Sequence, residues 1–166
     1  MLYLLDANVL ITAHNTYYSI EQVPEFWDWL RHQGESGYLK MPLEIVEEVK
    51  AGKDDDPLLD WIKDEVNLDA LKLDEAVDST ILQRVVSEGY APDLTDDELE
   101  FIGFDPFLVA YGLAAPERTV VTTEVSSQKK SRKNRKLPDV CATFAVPCIN
   151  TFDMTRRLDF KTGWKA

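Results

Sequence analysis

Three acidic side chains interrupt or flank apolar stretches of the chain, where a solvated carboxylate is not expected. Asp6 lies within LYLLDANVLI, Asp105 directly precedes PFLVAYGLAA, and Glu124 follows the run TVVTT. An unpaired carboxylate in apolar surroundings costs free energy, and a divalent cation would offset that cost. Carboxylate oxygens without histidine or cysteine suit Mg²⁺ or Mn²⁺, and one or two such ions could activate water against a phosphodiester.

A helix predicted over residues 42–52, PLEIVEEVKAG, supplies one further candidate. Glu44 points away from the apolar stripe of this helix, whereas Glu47 and Glu48 flank the stripe and could reach inward. The stripe itself is formed by Ile45, Val46 and Val49. We therefore expect one functional carboxylate from this helix, at position 47 or 48.

Each of these acids also has a purely structural interpretation. Asp6 would cap a following turn through Asn8, and Asp105 would be the N-cap of the helix that starts at Pro106. Asp139 opens a later helix, where it is either a cap or one more ligand. The roles are compatible, because a capping residue can still point its carboxylate into a cleft.

Residues 129–136 read KKSRKNRK, with six positive side chains in a chain whose formal net charge is −12. The remaining sequence carries twelve basic against thirty acidic side chains. So local a reversal of sign predicts a surface for phosphate groups, and the alternative is a solvated loop. The candidate nucleic-acid-binding residues are Lys129, Lys130, Arg132, Lys133, Arg135 and Lys136.

The elements that must position these residues alternate between strand and helix. We predict strands at residues 3–11, 38–41, 70–73, 119–123 and 146–150, and helices at 22–33, 42–52, 58–65 and 74–87, after Thr95 and from Asp105. Gly34 is expected to close the helix at 22–33. Alternation without hairpin signals indicates an α/β domain with a largely parallel sheet, in which ligands bind beyond the carboxyl ends of the strands.

Composition excludes several other classes of protein. At 166 residues and 45% hydrophobic content the chain fits one globular domain, with residues 1–150 as its body and 151–166 as a peripheral segment. No apolar stretch reaches the roughly 20 residues of a membrane span, and no signal peptide precedes the first strand, so we expect a cytoplasmic protein. Cys141 and Cys148 are expected to be buried thiols.

Four motifs in this order resemble those of a PIN domain, the nuclease domain of VapC-type toxins. LLDANVLI resembles the opening strand of that family, and MPLEIVEEVKAG resembles its second motif, with a spacing that selects Glu48. FDPFLVAYGLA resembles the third motif and selects Asp105, while VVTTE resembles the fourth. The resemblance spans residues 2–150, and the segments QVPEFWDWLR and LPDVCATFAVPCIN resemble an uncharacterised PIN-like branch.

The resemblance implies a three-layer α/β/α fold with a five-stranded, mostly parallel sheet. It also implies a metal-dependent endoribonuclease in which Asp6, Glu48, Asp105 and Glu124 bind Mg²⁺ or Mn²⁺. Glu124 stands where the family usually has Asn or Asp, so either Glu124 or Asp139 completes the site. We favour Glu124, because it lies at the end of a strand.

The partners implied are an RNA substrate and, if the domain is the toxin of a toxin–antitoxin pair, a cognate antitoxin protein. A homodimer is a further expectation, with Phe26, Trp27 or Trp29 either at its interface or in the core. The alternative function is a catalytically silent PIN-like module that binds nucleic acid or protein. A haloacid-dehalogenase-type phosphatase is excluded, because Asn8 occupies the place of its second Asp, and neither histidine lies near a nucleophile motif.

Overall fold

A five-stranded sheet in which every neighbouring pair is parallel forms the centre of the chain. The computed structural model describes residues 1–166. The strands are β1 (Leu2–Leu5), β2 (Leu39–Pro42), β3 (Lys72–Leu73), β4 (Arg118–Val121) and β5 (Cys148–Ile149). They lie in the order β3-β2-β1-β4-β5. The predicted α/β class and parallel sheet are confirmed.

Ten α-helices flank this sheet and complete a three-layer α/β/α fold. They are α1 (Ala7–Thr12), α2 (Pro24–Glu35), α3 (Leu43–Lys50), α4 (Pro57–Lys63), α5 (Glu65–Leu71), α6 (Ser79–Arg84), α7 (Asp96–Ile102), α8 (Asp105–Ala114), α9 (Leu137–Thr143) and α10 (Thr151–Arg157). None of them is both long enough and apolar enough to cross a membrane.

The first strand is shorter than predicted. β1 ends at Leu5, and residues 7–12 form α1, so the strand prediction over 3–11 is wrong beyond Leu5. A continuous aliphatic run is compatible with either a buried strand or a buried helix, and periodicity alone does not separate them. The correction moves Asp6 from inside a strand to the junction between β1 and α1.

Three other boundaries differ because tertiary packing overrides local signals. Gly34 lies inside α2, where a Cβ would come within 2.6 Å of the Ala70 carbonyl oxygen, so it permits close packing and does not end the helix. The predicted strand at 70–73 keeps two residues, because α5, which was not predicted, extends to Leu71. The predicted helix at 74–87 begins only at Ser79 and continues as a π-helical turn, Val85–Tyr90.

The strand order reverses between β1 and β4. The chain places β2 and β3 on one side of β1 and then crosses to place β4 and β5 on the other side. The carboxyl ends of β1 and β4 lie together, since Leu5 pairs with Val121. In open parallel sheets a crevice forms outside the strand ends at such a point, and ligands bind there.

The aromatic residues of α2 belong to the core. Phe26, Trp27 and Trp29 are each at most 1% exposed, so of the two roles left open for them the core is confirmed and the dimer interface is excluded. Phe160, near the C-terminus, packs on Phe26 and Trp29 with ring centroids 5.4 and 5.1 Å apart. The C-terminal residues are thereby tied to α2. Both cysteines are free thiols, as predicted; Cys141 is buried and Cys148 is half-buried.

Candidate active site at the carboxyl edge of the sheet

Four carboxylates from four separate segments face one another where the strand order reverses. Asp6 follows β1, Glu48 lies on α3, Asp105 is the first residue of α8, and Glu124 follows β4 by three positions. We refer to these four residues as the carboxylate cluster. Their negative charges act on one another: Glu124 raises the pKa of Asp6, Asp6 raises that of Glu48, and all three raise that of Asp105. The structure therefore brings together the four acids predicted from the sequence.

Asp6 is held mainly by the edge of the sheet, and hydrogen bonds from the Ala7 backbone N–H and the Asn8 side chain make smaller contributions that lower its pKa. It occupies the N-cap position of α1 but makes no side-chain capping hydrogen bond. The hydroxyl of Thr122 donates to its Oδ2 atom at 2.8 Å. Burial raises the pKa of Asp6 to about 6, although this hydrogen bond acts in the opposite direction.

Thr122 and Asn8 form a network around this bond that the sequence did not predict. The Asn8 side-chain amide donates to Thr122 Oγ1 at 3.2 Å, and the Glu124 backbone N–H donates to the same oxygen at 3.1 Å. Asn8 Oδ1 accepts from the Thr123 backbone N–H at 3.0 Å. With both acceptor positions filled, the Thr122 hydroxyl has one proton left to donate, and Asp6 Oδ2 at 2.8 Å is a nearer acceptor than Asn8 Oδ1 at 3.4 Å. In the sequence, Thr122 is only a threonine at the end of a strand. Its role as a partner of Asp6 can be inferred only once the register of β1 and β4 is known.

Asp105 is a carboxylate without a hydrogen-bond donor. Phe104, and not Asp105, is the N-cap residue of α8, and it makes no side-chain capping bond, so the predicted capping role of Asp105 is wrong. Burial, followed by the charges of Asp6, Glu124 and Glu48, raises the pKa of Asp105 to about 8. Lys136 opposes this rise only in part. The ionised form of Asp105 is therefore unfavourable in the protein alone, and a bound cation would stabilise it.

Glu48 reaches the cluster from α3, as the motif spacing predicted. Burial raises its pKa, Asp6 adds to that effect, and a hydrogen bond from the Phe104 backbone N–H lowers it. Glu47 is exposed and pairs with Lys50 at 3.5 Å instead. Glu44, which was expected to point away from the sheet, accepts a hydrogen bond from the Tyr111 hydroxyl at 3.1 Å. Glu48 is therefore the carboxylate that α3 directs toward the site.

The structure distinguishes the two candidates for the last position. Glu124 faces the cluster and accepts a hydrogen bond from the Leu137 backbone N–H at 2.7 Å. Asp139 instead accepts from the Ser126 hydroxyl and from the Ser127 backbone N–H at 2.8 Å. Burial alone would raise the pKa of Asp139, but these hydrogen bonds lower it below its usual value. Asp139 therefore holds the segment around Ser126 and Ser127 in place, and Glu124 is the residue that belongs to the carboxylate cluster.

The basic loop, residues 125–136, forms one wall of a cleft beside the cluster. The walls of this cleft of about 240 Å³ include both acids and bases, namely Asp105 and Glu124 together with Lys130, Lys133, Arg135 and Lys136. Lys133 also lies 4.8 Å from the centroid of the exposed Phe101 ring, which lines the same cleft. Lys129 is exposed outside it. Positive and negative side chains thus meet across a single opening.

The two arginines of the loop have internal partners. Arg132 binds Glu98 through two hydrogen bonds of 2.9 Å and pairs with Asp93 at 2.7 Å. Glu98 in turn completes the capping box of α7 with Thr95, as the sequence predicted, and its pKa falls to about 2 because of Arg132. These contacts fix the loop, so Arg132 is engaged in anchoring it.

Arg135 anchors the loop from the opposite end. Its guanidinium group donates to the Gly89 carbonyl oxygen at 2.6 Å, to Thr143 Oγ1 at 3.1 Å and to the Asp139 carbonyl oxygen at 3.1 Å. Tyr90, next to Gly89, is buried with an unpartnered hydroxyl group. Burial and then the charge of Asp105 raise the pKa of Tyr90, which places the phenol in the electrostatic field of the cluster.

The donor set fits a hard divalent cation. It consists of carboxylate oxygens alone, and Asp105 brings a carboxylate that no protein group satisfies. As the side chains stand, no three of the His, Cys, Asp and Glu residues are arranged to hold one ion. Mutual repulsion of like charges favours such a spread, and a bound cation would counteract it.

Comparison with known proteins gives a family without an assigned activity. A family model described as Domain of unknown function (DUF4411) matches residues 3–162. The match covers nearly the whole chain, and the chain belongs to this family. No curated protein and no solved structure matches it.

Proposed function

We propose that this chain is a PIN-like, metal-dependent endoribonuclease that hydrolyses phosphodiester bonds of RNA. One observation carries the proposal: four carboxylates from four separate segments lie close enough to act on one another at the reversal of strand order, and the pKa values of Asp6, Glu48 and Asp105 are raised by burial and by neighbouring carboxylates. Carboxylates in such a cluster repel one another, and a bound cation reduces this repulsion. The four motifs that resemble a PIN domain support the same conclusion.

Asp6, Glu48, Asp105 and Glu124 would hold Mg²⁺ or Mn²⁺. A bound ion of this type acts as a Lewis acid, which acidifies water and offsets the negative charge that develops on a phosphodiester in hydrolysis. The chain contributes orientation, since Thr122 fixes the position of Asp6 Oδ2 and Leu137 fixes that of Glu124 Oε2. Such second contacts commonly change metal affinity or activity by 10- to 100-fold.

The basic loop would bind the phosphates that flank the scissile bond. Lys130, Lys133 and Lys136 line the same cleft as Asp105 and Glu124, so an anionic backbone that enters the cleft would meet ammonium groups next to the cluster. Contacts to phosphate position a nucleic acid without selecting its sequence. The rest of the molecule carries twelve basic against thirty acidic side chains, so it repels phosphate and would confine binding to this opening.

The narrower proposal, that the ribonuclease is the toxin of a toxin–antitoxin pair, rests on the resemblance alone. Its test is genetic and does not depend on the cleavage assay. Expression of the wild-type chain should arrest the growth of the host cell. Co-expression of a candidate antitoxin, a small protein encoded next to the gene for this chain, should relieve the arrest. Growth unaffected by the wild-type chain would remove the toxin proposal and leave the nuclease proposal in place.

A cleavage assay tests the main proposal directly. Purified protein is incubated with mixed single-stranded and structured RNA in Mn²⁺, in Mg²⁺ and in EDTA, beside the Asp6→Asn variant. We expect internal cleavage that requires the cation and is lost in Asp6→Asn. Cleavage of equal rate in the variant, or in EDTA, would contradict the assignment of the site. A wild-type protein that binds RNA without cutting it would instead identify the silent module.

A further inference from the structure

We infer that Phe152 and Tyr17 form a subsite for an unpaired nucleobase, reached along the carboxyl edge of the sheet from the carboxylate cluster. The identity of the ligand rests on the proposed function, which supplies the nucleic acid. The subsite itself rests on an aromatic pair, a cavity with an unsatisfied hydroxyl group, and the continuity of that cavity with the cluster.

The aromatic pair leaves one ring available to a ligand. Phe152, the second residue of α10, is 45% exposed. Tyr17 supports it from behind, with ring centroids 5.0 Å apart and planes inclined by 45°. An exposed ring backed by a second ring offers a rigid, flat surface, and stacking on such a surface favours the binding of a base.

The cavity beside these rings has no charged side chain in its walls, and its accessible surface is mostly apolar. Its volume is about 260 Å³, and its remaining walls are Thr12, Thr123, Asn150 and Thr151. Since no lysine or arginine lines it, the cavity is suited to a base and not to a phosphate. Its walls offer hydroxyl and amide groups, which can hydrogen-bond the edge of a base.

The hydroxyl group of Thr151 lacks a hydrogen-bond partner within the chain. Thr151 is only 2% exposed, it lines the cavity, and its hydroxyl group makes no hydrogen bond of acceptable geometry although it lies beside the Tyr17 phenol. Buried hydroxyl groups without partners are uncommon, because the lost hydration is not recovered. Because the oxygen of this group is closed to solvent, a base edge in the cavity would become its partner only once the side chains that cover it shift.

The cavity continues toward the carboxylate cluster. It shares Thr123 and Asn150 with a second cavity of about 290 Å³, and that cavity shares Glu124 with the cleft of the basic loop. Asp153 in the second cavity is paired with Arg156 at 2.6 Å, which offsets its charge. These shared wall residues mark out a path from the lysines past Glu124 to Phe152, and in the proposed complex a strand follows it.

This arrangement requires an unpaired base. In a duplex each base is stacked between its neighbours and offers no free face, so a side chain can stack only on a base in a loop, a bulge, an end or a single strand. Phe152 would thus favour single-stranded RNA over a duplex of the same sequence. Selection would act through stacking, which every base provides, and not through a defined sequence.

Binding of labelled oligonucleotides tests the subsite. The probes are a short single-stranded RNA and an abasic strand of the same length and charge, measured by fluorescence anisotropy in Mg²⁺. All variants carry Asp6→Asn to prevent cleavage. They compare Phe152→Ala with Phe152→Tyr, which restores a ring, and with Tyr38→Ala. Tyr38 is 50% exposed and directly precedes β2, so it lies at the amino ends of the strands and not at the carboxyl ends where Phe152 lies.

We expect Phe152→Ala to weaken binding of the RNA by roughly five- to 100-fold and to leave binding of the abasic strand unchanged. Phe152→Tyr and Tyr38→Ala should bind both probes like the parent. An equal loss on both probes, no loss on either, or no measurable binding of RNA at low salt would overturn the subsite.

The two proposals fail in different ways. If the wild-type chain cleaves no RNA in Mn²⁺ while Phe152 still distinguishes the two probes, the nuclease proposal fails and the subsite stands. If cleavage requires Asp6 but Phe152→Ala neither weakens binding nor raises KM, the subsite fails and the nuclease proposal stands.

Discussion

Glu124 Oε2 accepts a hydrogen bond from the backbone N–H of Leu137 at 2.7 Å, and this contact joins the two residues that flank the basic loop. Glu124 also belongs to the carboxylate cluster, where its charge raises the pKa of Asp6 and of Asp105. One carboxylate therefore closes the loop that carries the lysines and contributes charge to the site beside them. The two roles can be separated by mutation.

Glu124→Gln should retain the closed loop and lose activity. The glutamine side chain keeps an oxygen acceptor for the Leu137 N–H but removes the negative charge, so we expect RNA cleavage to fall by more than about 100-fold while RNA binding persists. Glu124→Ala leaves that N–H without its partner, which costs about 1–3 kcal/mol, and should also expose the loop to protease. Cleavage rate, anisotropy and limited proteolysis measure the three effects, and equal protease sensitivity of both variants would contradict the closing role.

Asp105 should make the metal-free protein less stable as the pH rises. Its folded-state pKa is raised from 3.8 to about 8, so the folded state holds a proton more tightly than the unfolded state. The resulting stabilisation is complete below about pH 4 and is lost as the pH rises toward about 8, with a slope of at most about 1.4 kcal/mol per pH unit. Asp6, whose pKa is raised to about 6, adds to the lower part of the same window.

Urea unfolding in EDTA at several pH values measures this dependence. Asp105→Asn removes the titrating group, so it should flatten the profile and exceed the wild type in stability at about pH 8. A variant with the same slope as the wild type would show that Asp105 does not titrate in this window.

Glu48 and Glu47 provide a matched pair for metal binding. Mn²⁺ should raise the thermal stability of the wild type by about 2.7 kcal/mol at 100 times its dissociation constant, since it binds only the folded state. Glu48→Gln should lose most of that increment, and the exposed neighbour Glu47→Gln should keep it. Melting curves with and without Mn²⁺ give the comparison, and equal increments in the two variants would remove Glu48 from the donor set.

The sequence revealed the acids because each stands at an abrupt change of local composition. Asp6, Asp105 and Glu124 adjoin apolar runs, and an element boundary is the place where a short-range pattern is most informative. The alternation of strands and helices was sufficient to predict the parallel sheet. That strand 3–11 would end at Leu5 was not predictable in the same way, because a buried helix and a buried strand are both aliphatic.

Contacts distant in sequence account for what was missed. Thr122 meets Asp6 across 116 positions, through a register of β1 and β4 that no local window contains. Arg132 was assigned to nucleic acid with its neighbours, but Glu98 and Asp93 occupy its guanidinium group. Charge density identifies a basic segment, whereas only the fold decides which of its charges have partners within the chain.

Thr122→Val should impair the site without altering its shape. Valine is similar in size but removes the donor to Asp6 and the acceptor for Asn8 and Glu124, so we expect a loss of about 1–3 kcal/mol in stability and a 10- to 100-fold loss of cleavage. The pKa of Asp6 should rise further, because this hydrogen bond lowers it. Thr122→Ser retains the hydroxyl group and should behave like the wild type; a serine variant as impaired as the valine variant would assign the effect to packing.

Neutralising the lysines of the cleft should weaken RNA binding and reduce its dependence on salt. Lys130, Lys133 and Lys136 line the opening, and none of them forms an ion pair. Each phosphate contact on a single strand contributes about −0.7 to the slope of log affinity against log salt, so replacing all three by glutamine should reduce that slope by up to about 2. Affinity at low salt should fall for every RNA sequence alike, because phosphate contacts carry no sequence information.

A second triple variant separates local contact from total charge. It replaces three exposed lysines that lie outside the cleft and lowers the net charge by the same amount, namely Lys53, Lys63 and Lys161. A long-range effect of net charge would weaken both triple variants equally, whereas direct contact changes the salt slope only for the lysines of the cleft. Equal slopes of log affinity against log salt in the two variants would therefore show that the basic loop is a solvated surface without direct phosphate contacts. That result would not depend on whether the carboxylate cluster binds a metal ion.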